Sequence, residues 1–425
     1  MTASVSRYAN DVADAVRERL AGQTIRACPV CNSRVARPLV TVPLALPDSH
    51  PLGSSFSVVS CDACGTGFTD ADVSQAAYDA HYAHQAKYAD DGRTNAGESA
   101  PDTPWNIKRL NATAARLSRW VQRDARLVDI GCATGSLLVA LAEQGMHGAI
   151  GLDPSPGSAA VAAGRGVTVL TGTLADLPPE LGVVDVVTMN GVFEHLLDVA
   201  AAVRAVTSVL LPGGLLYVEV PDAARYCHPY VAPFQDFNTE HVNHFSAVTL
   251  DRLLRRFGFE PLWQGDADAE LGPGFVSATT AGAWRFAGPQ SMLVPASPRR
   301  DQSRDEKLAA ELVEYSNRSA RDMAATDRFV DEQLGAAEEV AVWGIGEVAY
   351  KLLAMPALAS RRIVNLIDGN TARHGMRIRG IEVTGPESLT HTDAPVVVSS
   401  VLAQASITAE LTRRGFTNHV VGLAR

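Results

Sequence analysis

At 425 residues the chain is long enough for about three domains of ordinary size. Its 46% hydrophobic and 20% charged residues are typical of a globular chain with large buried cores, which excludes overall disorder. The 37 basic and 47 acidic residues leave a formal charge of -10, which argues against nucleic-acid binding through a generally basic surface.

In chain order, the first twenty residues carry charges every few positions and lack the apolar centre of a signal peptide. No stretch approaches the roughly 18 apolar residues of a membrane helix, so the expectation is a soluble, cytoplasmic protein with no membrane partner. Val12, Val16 and Leu20 recur at helical spacing and predict a short amphipathic helix.

Of six cysteines, four fall in two CxxC pairs, Cys28/Cys31 and Cys61/Cys64, within a segment of short β-prone runs and turns. Cys132 and Cys227 stand alone, which is not the pattern of a disulfide framework. A CxxC turn delivers two thiolates to one side of an ion, and two such turns close a tetrahedral zinc site. Gly65 directly after Cys64 suits the left-handed residue such turns need. With four protein ligands and no open position, such a zinc holds the fold and does not activate water. A redox-active pair and free core cysteines are the competing readings. With only Arg26, Arg34 and Arg37 as basic residues, this segment makes a poor nucleic-acid ribbon.

A polar loop spans 89–104, and strand-like runs then alternate with helical stretches from 105 to 290, predicting a parallel sheet covered by helices. Within it, LVDIGCATGSLL (127–138) reads as a strand, a turn and a helix beginning at about Ser136. Small residues at Gly131, Ala133 and Gly135 let a ligand approach the backbone, beside a helix N-terminus that favours an anionic group. Asp153 ends the next strand, 22 residues after Gly131, where a carboxylate can bond ribose hydroxyls.

The strand, DIGCATG and the second acid resemble the S-adenosylmethionine (SAM) site of class I methyltransferases. TGTLADLP (171–178), DVVTMNGVFEHLLD (185–198) and LLPGGLLYVEVP (210–221) follow in the order of that fold. The resemblance implies that Asp129 and the backbone from Gly131 to Gly135 hold the methionine part, Asp153 the ribose and Leu174 the adenine. Asn190, ending the fourth strand, would line the side of methyl transfer, and Glu194-His195 would sit on the following helix.

Methyl transfer aligns a nucleophile with a sulfonium and, for a weak nucleophile, requires a base. FQDFNTEHVNHFS places Glu240, His241 and His244 ahead of a helix, and histidine has the pKa for a base. The bland alternative is that Glu240 caps that helix while His241 packs near it. A linker at 295–306 leads to a helix from about 305 to 334, with Leu308, Leu312 and Tyr315 on one face, and then to a second α/β pattern. There VAVWGIG and Asp368, 24 residues after Gly344, form a weak dinucleotide-type pattern.

The order of a four-cysteine unit (1–90), a SAM domain (105–290) and a C-terminal Rossmann-like α/β domain (305–425) resembles the sugar C-methyltransferases acting on nucleotide-linked 4-keto-deoxyhexoses. That resemblance implies His241 as base with Glu240 as partner, Tyr82 as an active-site tyrosine, SAM and a structural zinc as cofactors, and a dTDP-linked keto sugar as acceptor. It also implies that the C-terminal half closes over the acceptor; a monomer or homodimer is expected. Asn238 and His244 stand where the family has tyrosines. N- or O-methylation, or C-methylation of a non-sugar acceptor in natural-product biosynthesis, is the alternative.

Overall fold

The computed structural model describes residues 24–48, 50–84, 103–228, 230–272, 275–288, 303–389 and 393–423. The helix expected around Val12, Val16 and Leu20 lies outside the described residues, as does most of the loop 89–104 and of the linker 295–306. Among the described residues no helix is long and apolar enough to cross a membrane.

The cysteine-bearing segment folds as an antiparallel meander of β1 (Ala36–Pro43), β2 (Ser55–Cys61) and β3 (Gly67–Asp70), followed by α1 (Gln75–His84). Helix α2 (Pro104–Leu117) starts on the Thr103 hydroxyl, which accepts from the Asn106 amide, and on a proline at its first position. There follow β4 (Leu127–Ile130), α3 (Ser136–Glu143), β5 (Ala149–Asp153), α4 (Pro156–Gly164), β6 (Val169–Thr171), β7 (Val184–Asn190), α5 (Val199–Val209) and β8 (Leu210–Pro221). Next come β9 (Asn243–His244), α6 (Ala247–Arg255), β10 (Phe259–Asp266), the hairpin β11 (Ala269–Gly272) and β12 (Phe275–Ser277), and β13 (Thr279–Phe286).

The large sheet has the order β10-β13-β8-β7-β4-β5-β6. Strands β4 to β8 are parallel and nearly continuously apolar, as strands covered on both faces must be. The expectation of a wholly parallel sheet fails at one edge. β13 runs antiparallel to both β8 and β10, because only the short β11–β12 hairpin joins β10 to β13, too little chain for a crossover. Past the buried Phe259, edge strand β10 alternates exposed and half-buried residues, as a half-covered strand does.

Strand β9 leaves this sheet and pairs with β3, matching His244 to Gly67 and Asn243 to Phe68, so the cysteine meander takes its fourth strand from a segment about 170 residues downstream. Helix α7 (Glu306–Leu334) begins on Asp305, whose side chain accepts from the Leu308 amide and from the Ser246 hydroxyl (2.6 Å). The predicted face of Leu308, Leu312 and Tyr315 is fully buried there.

The C-terminal sheet, β14 (Glu339–Trp343), β15 (Arg362–Ile367), β16 (Arg377–Ile378), β17 (Ile381–Thr384), β18 (Val396–Val398) and β19 (Val420–Gly422), has the order β16-β17-β15-β14-β18-β19. Helix α8 (Glu347–Ala354) follows its GxG turn. One apolar core runs from Phe56, Val58 and Tyr78 through Phe234 and Phe237 to Leu312 and Val340. The three segments are therefore packed through a common interior.

Candidate functional site

The two CxxC turns are built alike. The Asn32 amide donates to Cys28 O and the Gly65 amide to Cys61 O, both at 2.9 Å. Asn32 and Gly65 both adopt the left-handed conformation, at φ 64° and 86°. At Gly65 a side chain is also barred, since a Cβ there would lie 2.6 Å from Asp305 O. The four sulfurs of Cys28, Cys31, Cys61 and Cys64 lie within 4.8 Å of one another. Cys28–Cys64 at 3.5 Å and Cys31–Cys61 at 3.4 Å are far beyond a disulfide bond of about 2.05 Å. They are close to the sulfur–sulfur edge of about 3.8 Å that ligands at 2.3 Å from a tetrahedral zinc would form. The donor set is soft and closed, as a structural zinc requires.

At the end of β4 the chain turns through Gly131, Ala133 and Gly135 at φ 70°, 45° and 77°. A Cβ on Gly131 would stand 2.7 Å from a Val192 methyl, so the turn lies directly against the loop after β7. Asp129 is buried beneath it and accepts from the Thr188 hydroxyl at 2.6 Å. Burial pushes its carboxyl up to about 7, against the Thr188 hydrogen bond that lowers it. Asp153 accepts from the amides of Ser155 and Ala133, both at 2.9 Å, and so ties the second strand end to the glycine turn. Leu174 is half-buried against the sheet core. Both amide atoms of Asn190, ending β7, are buried without a hydrogen-bond partner, which for a native amide calls for a ligand or water. Cys132 fills the space over Gly151, where a Cβ would come within 2.3 Å of its sulfur.

Glu194 and His195 do not lie on a helix as expected. They occupy a single 3-10 turn, Phe193–His195, because Leu196 is extended and Asp198 starts α5 by accepting from the Ala201 amide. That turn brings them to His241. The rings of His195 and His241 stand edge to face with centroids 5.0 Å apart, and His195 Nε2 is 3.9 Å from Glu194 Oε1. One carboxylate oxygen and two ring nitrogens of Glu194, His195 and His241 fall within 4.8 Å of one another. His195 Nδ1 bonds Glu240 O at 3.0 Å; a carbonyl only accepts, so Nδ1 carries the proton and Nε2 is left as acceptor. Glu194 is buried, and burial pushes its carboxyl up to about 8.

The histidine segment is held from all sides. Asn238 Oδ1 accepts from the amides of Glu240 (2.9 Å) and His241 (2.7 Å), a use of asparagine that a tyrosine could not reproduce. Tyr78 Oη donates to Thr239 O at 3.0 Å, and the Thr239 hydroxyl donates to Glu347 at the start of α8. The Arg26 guanidinium donates to Thr69 O, Val242 O, Leu197 O and Asn243 Oδ1 at 2.7 to 3.1 Å, joining the cysteine unit to both histidine loops. Glu240 does not cap a helix: Ser246 caps α6, in a reciprocal pair with Thr249. Its charge acts on Tyr350 and Arg373 beside the C-terminal GxG turn. His244 lies outside the site, fully buried against Phe237 and bonded to Tyr226 Oη at 3.2 Å, and burial lowers it to about 3. Tyr82 falls on the backbone of α1, but its side chain lies outside the described residues.

In the C-terminal sheet Asp368 accepts from the Ile345 and Asn370 amides, both at 2.7 Å, and pairs with Arg373 at 2.9 Å. Its carboxylate is spent on the protein's own turn instead of facing a ribose. Arg26 and Thr188 carry no local signal in the sequence, because each acts through partners remote in it.

Residues 105–264 match the family model described as a methyltransferase domain. The chain is 26% identical over 268 residues to the C-methyltransferase NovU of Streptomyces niveus, covering 61% of this chain and 62% of that one. It is 34% identical over 98 residues to the ubiquinone biosynthesis O-methyltransferase of Methylocella silvestris, covering 22% and 38%. To the trans-aconitate 2-methyltransferase of Methylobacterium nodulans it is 34% identical over 140 residues, covering 32% and 45%. The match thus spans less than two thirds of each of these relatives. The magnesium protoporphyrin IX methyltransferase of Synechocystis superimposes with a TM-score of 0.34 at 19% identity, over 47% of this chain and 88% of that one. By its strand order and the family match over 105–264, the large sheet is the Rossmann-like fold of class I methyltransferases, and the chain carries a SAM-dependent methyltransferase domain.

Proposed function

We propose that the protein transfers the methyl group of SAM to carbon, on the position next to the ketone of a nucleotide-linked 4-keto-deoxysugar. The carrying observation is the facing pair His195 and His241 over buried Glu194, next to the end of the strand that bears Asn190. The similarity to a C-methyltransferase over 61% of the chain supports carbon as the acceptor atom. The similarity to three O-methyltransferases covers less of the chain, 22%, 27% and 39%.

The glycine turn, with its left-handed residues and its closeness to Val192, fits the methionine and sugar parts of SAM; Asp153 would turn to the ribose, Leu174 would cover the adenine, and Asn190 offers an orphaned amide. SAM supplies an electrophilic methyl group on a sulfonium. His241 takes the proton from the carbon α to the ketone and becomes imidazolium. The electron pair of the broken C–H bond moves into the enolate, whose carbon forms the new bond to the methyl as the methyl–sulfur bond breaks. His241 then returns its proton to water. His195, with Nδ1–H fixed on Glu240 O, orients the second ring against His241. Tyr82, on the helix that also carries Tyr78, is proposed as the active-site tyrosine that the resemblance implies. The four cysteines would hold a structural zinc, and Arg373 beside Gly346 offers a cation to the acceptor's diphosphate.

The test is solvent exchange coupled to turnover. In deuterium oxide without SAM, the wild type should exchange the α proton of a dTDP-4-keto-deoxysugar. With labelled SAM, product mass should rise by one methyl. His241→Asn should lower both by about 10²-fold or more. Full exchange and methylation by the variant would overturn the base assignment, and methylation at oxygen or nitrogen would overturn the reaction.

A further inference from the structure

The histidine site holds more metal-binding groups than base chemistry uses. Glu194 and His195 are adjacent in sequence, and the single 3-10 turn Phe193–His195 brings both to His241, on the loop before β9. One Glu194 oxygen and one nitrogen of each ring lie within 4.8 Å of one another. Two imidazoles and a carboxylate are the donor set of a facial metal triad, which leaves further positions on the ion open. Imidazole suits zinc, iron, nickel and copper, whereas magnesium and calcium take oxygen ligands.

Three features of the cluster point to an ion. The first is the state of His195. Its Nδ1–H donates to Glu240 O at 3.0 Å, so Nε2 presents the lone pair, and a carbonyl on the far nitrogen is how ligating histidines are held. Nε2 stands 3.9 Å from Glu194 Oε1, too long for a hydrogen bond. That separation is within about 0.5 Å of the edge of roughly 3.4 Å between two donors about 2.1 Å from a tetrahedral ion.

The second feature is Glu194 itself. It is 3% exposed, and its Oε2 has no hydrogen-bond partner among the described residues. A buried carboxyl in that state calls for a proton or a cation, and an ion that binds it releases the proton. The Arg109 guanidinium, whose charge acts on Glu194, is already paired with Glu219 at 2.5 Å. The third feature is access. The His195 side chain is 21% exposed and His241 is half-buried, so an ion has a way in while the carboxylate stays beneath.

We infer that Glu194, His195 and His241 form a reversible site for a divalent transition-metal ion of the zinc type, and that an ion bound there switches methyl transfer off. The inhibition rests on the reading of His241 as the base. A neutral imidazole has one lone pair, so a His241 ring that gives it to a metal has none for the substrate's proton. The site is distinct in kind from the cysteine unit, which offers four soft thiolates and no open position.

The experiment adds zinc to the untagged full chain as purified, after its metal content has been measured. Calorimetry should show one further equivalent taken up, and zinc-edge absorption spectra should gain nitrogen and oxygen neighbours at about 2.0–2.1 Å. His195→Asn and Glu194→Gln, each checked for fold by circular dichroism, should weaken that uptake at least about 10-fold. In the wild type, methyl transfer to a dTDP-4-keto-deoxysugar should fall by about 10²-fold as the added equivalent saturates, the range of a lost general base. It should return when citrate, a weak chelator, removes that equivalent. No further equivalent in the wild type, or uptake unchanged in both variants, would overturn the site. Uptake that left transfer unchanged or stimulated it would overturn the inhibition. A wild type that transfers no methyl to the sugar would instead sink the proposed reaction, and the uptake measurements would still decide the site.

Discussion

Glu194 allows a prediction in which the sign and the size both come from the structure. Its carboxyl is buried and not close enough to either histidine for a short ion pair, and burial lifts it from 4.5 to about 8. A carboxyl with a raised pKa binds its proton more tightly in the folded chain than in the unfolded one. Between pH 4.5 and about 8 the unfolded state has therefore lost a proton that the native state retains, and stability declines as pH rises. Each pH unit in that window removes about 1.4 kcal/mol, so the loss is about 3 kcal/mol at pH 7 and about 5 kcal/mol from pH 8 upward.

Glu194→Gln keeps the shape and cannot ionise. Its amide would leave donors unmatched where Glu194 Oε2 now has no partner, a penalty of about 1–3 kcal/mol that does not depend on pH. The informative quantity is therefore the slope. Denaturant unfolding of wild type and variant at half-unit steps from pH 4.5 to 9 should show their difference in stability moving in the variant's favour by about 1.4 kcal/mol per unit, then levelling above pH 8. A difference that stays flat between pH 5 and 8 would refute the buried, proton-retaining carboxyl.

Two further outcomes can be stated. Gly131→Ala introduces a Cβ at φ 70° and 2.7 Å from Val192, so the chain should fold with a strain of about 1–2 kcal/mol and bind SAM at least about 10-fold more weakly in calorimetry. Protein purified without chelator should contain one zinc per chain by elemental analysis, and Cys61→Ser should lose it, lower the melting temperature and reduce methyl transfer together, since β3 carries the strand that precedes α6. Retention of activity by a zinc-free Cys61→Ser protein would show that the cysteine unit does not support the histidines.

What could be read from the sequence was local. The CxxC turns and DIGCATG are contiguous motifs whose chemistry is set by residues a few positions apart, and both turned out with the left-handed positions such turns require. Only Gly65 was legible as the residue after a CxxC pair, because Asn32 is a less obvious left-handed residue, though asparagine is the next choice after glycine. The rest depends on distant pairing. A two-residue strand such as β9 has no periodicity to detect, and Arg26 acts on carbonyls 43, 171 and 216 positions away. His244 looked like part of a catalytic cluster because it lies three residues from His241. Strand alternation and the packing of Phe237, Tyr226 and Leu312 send it to the core instead.

The same distant pairing explains why the histidine segment needs the whole chain. Residues 236–244 form no helix and only a two-residue strand, so their own backbone hydrogen bonds cannot fix a ring to within the fraction of an ångström that proton abstraction demands. Position is instead imposed from outside, by Tyr78 and Arg26 on the cysteine side, by the Val242 amide on Glu194 O (2.7 Å) within the methyltransferase sheet, and by Glu347 and Tyr315 from the C-terminal segment. Lys351 completes the clamp. It is buried on α8, and its ammonium donates to Phe234 O at 2.8 Å, two residues before Asp236. A loop restrained from three sides can be both irregular and rigid, which is the combination that His241 would need as the proposed base, with the acceptor entering between it and the methyl donor. The cost is that every restraint sits on a different element, so damage to the cysteine turns or to the start of α8 should reach His241 without touching it.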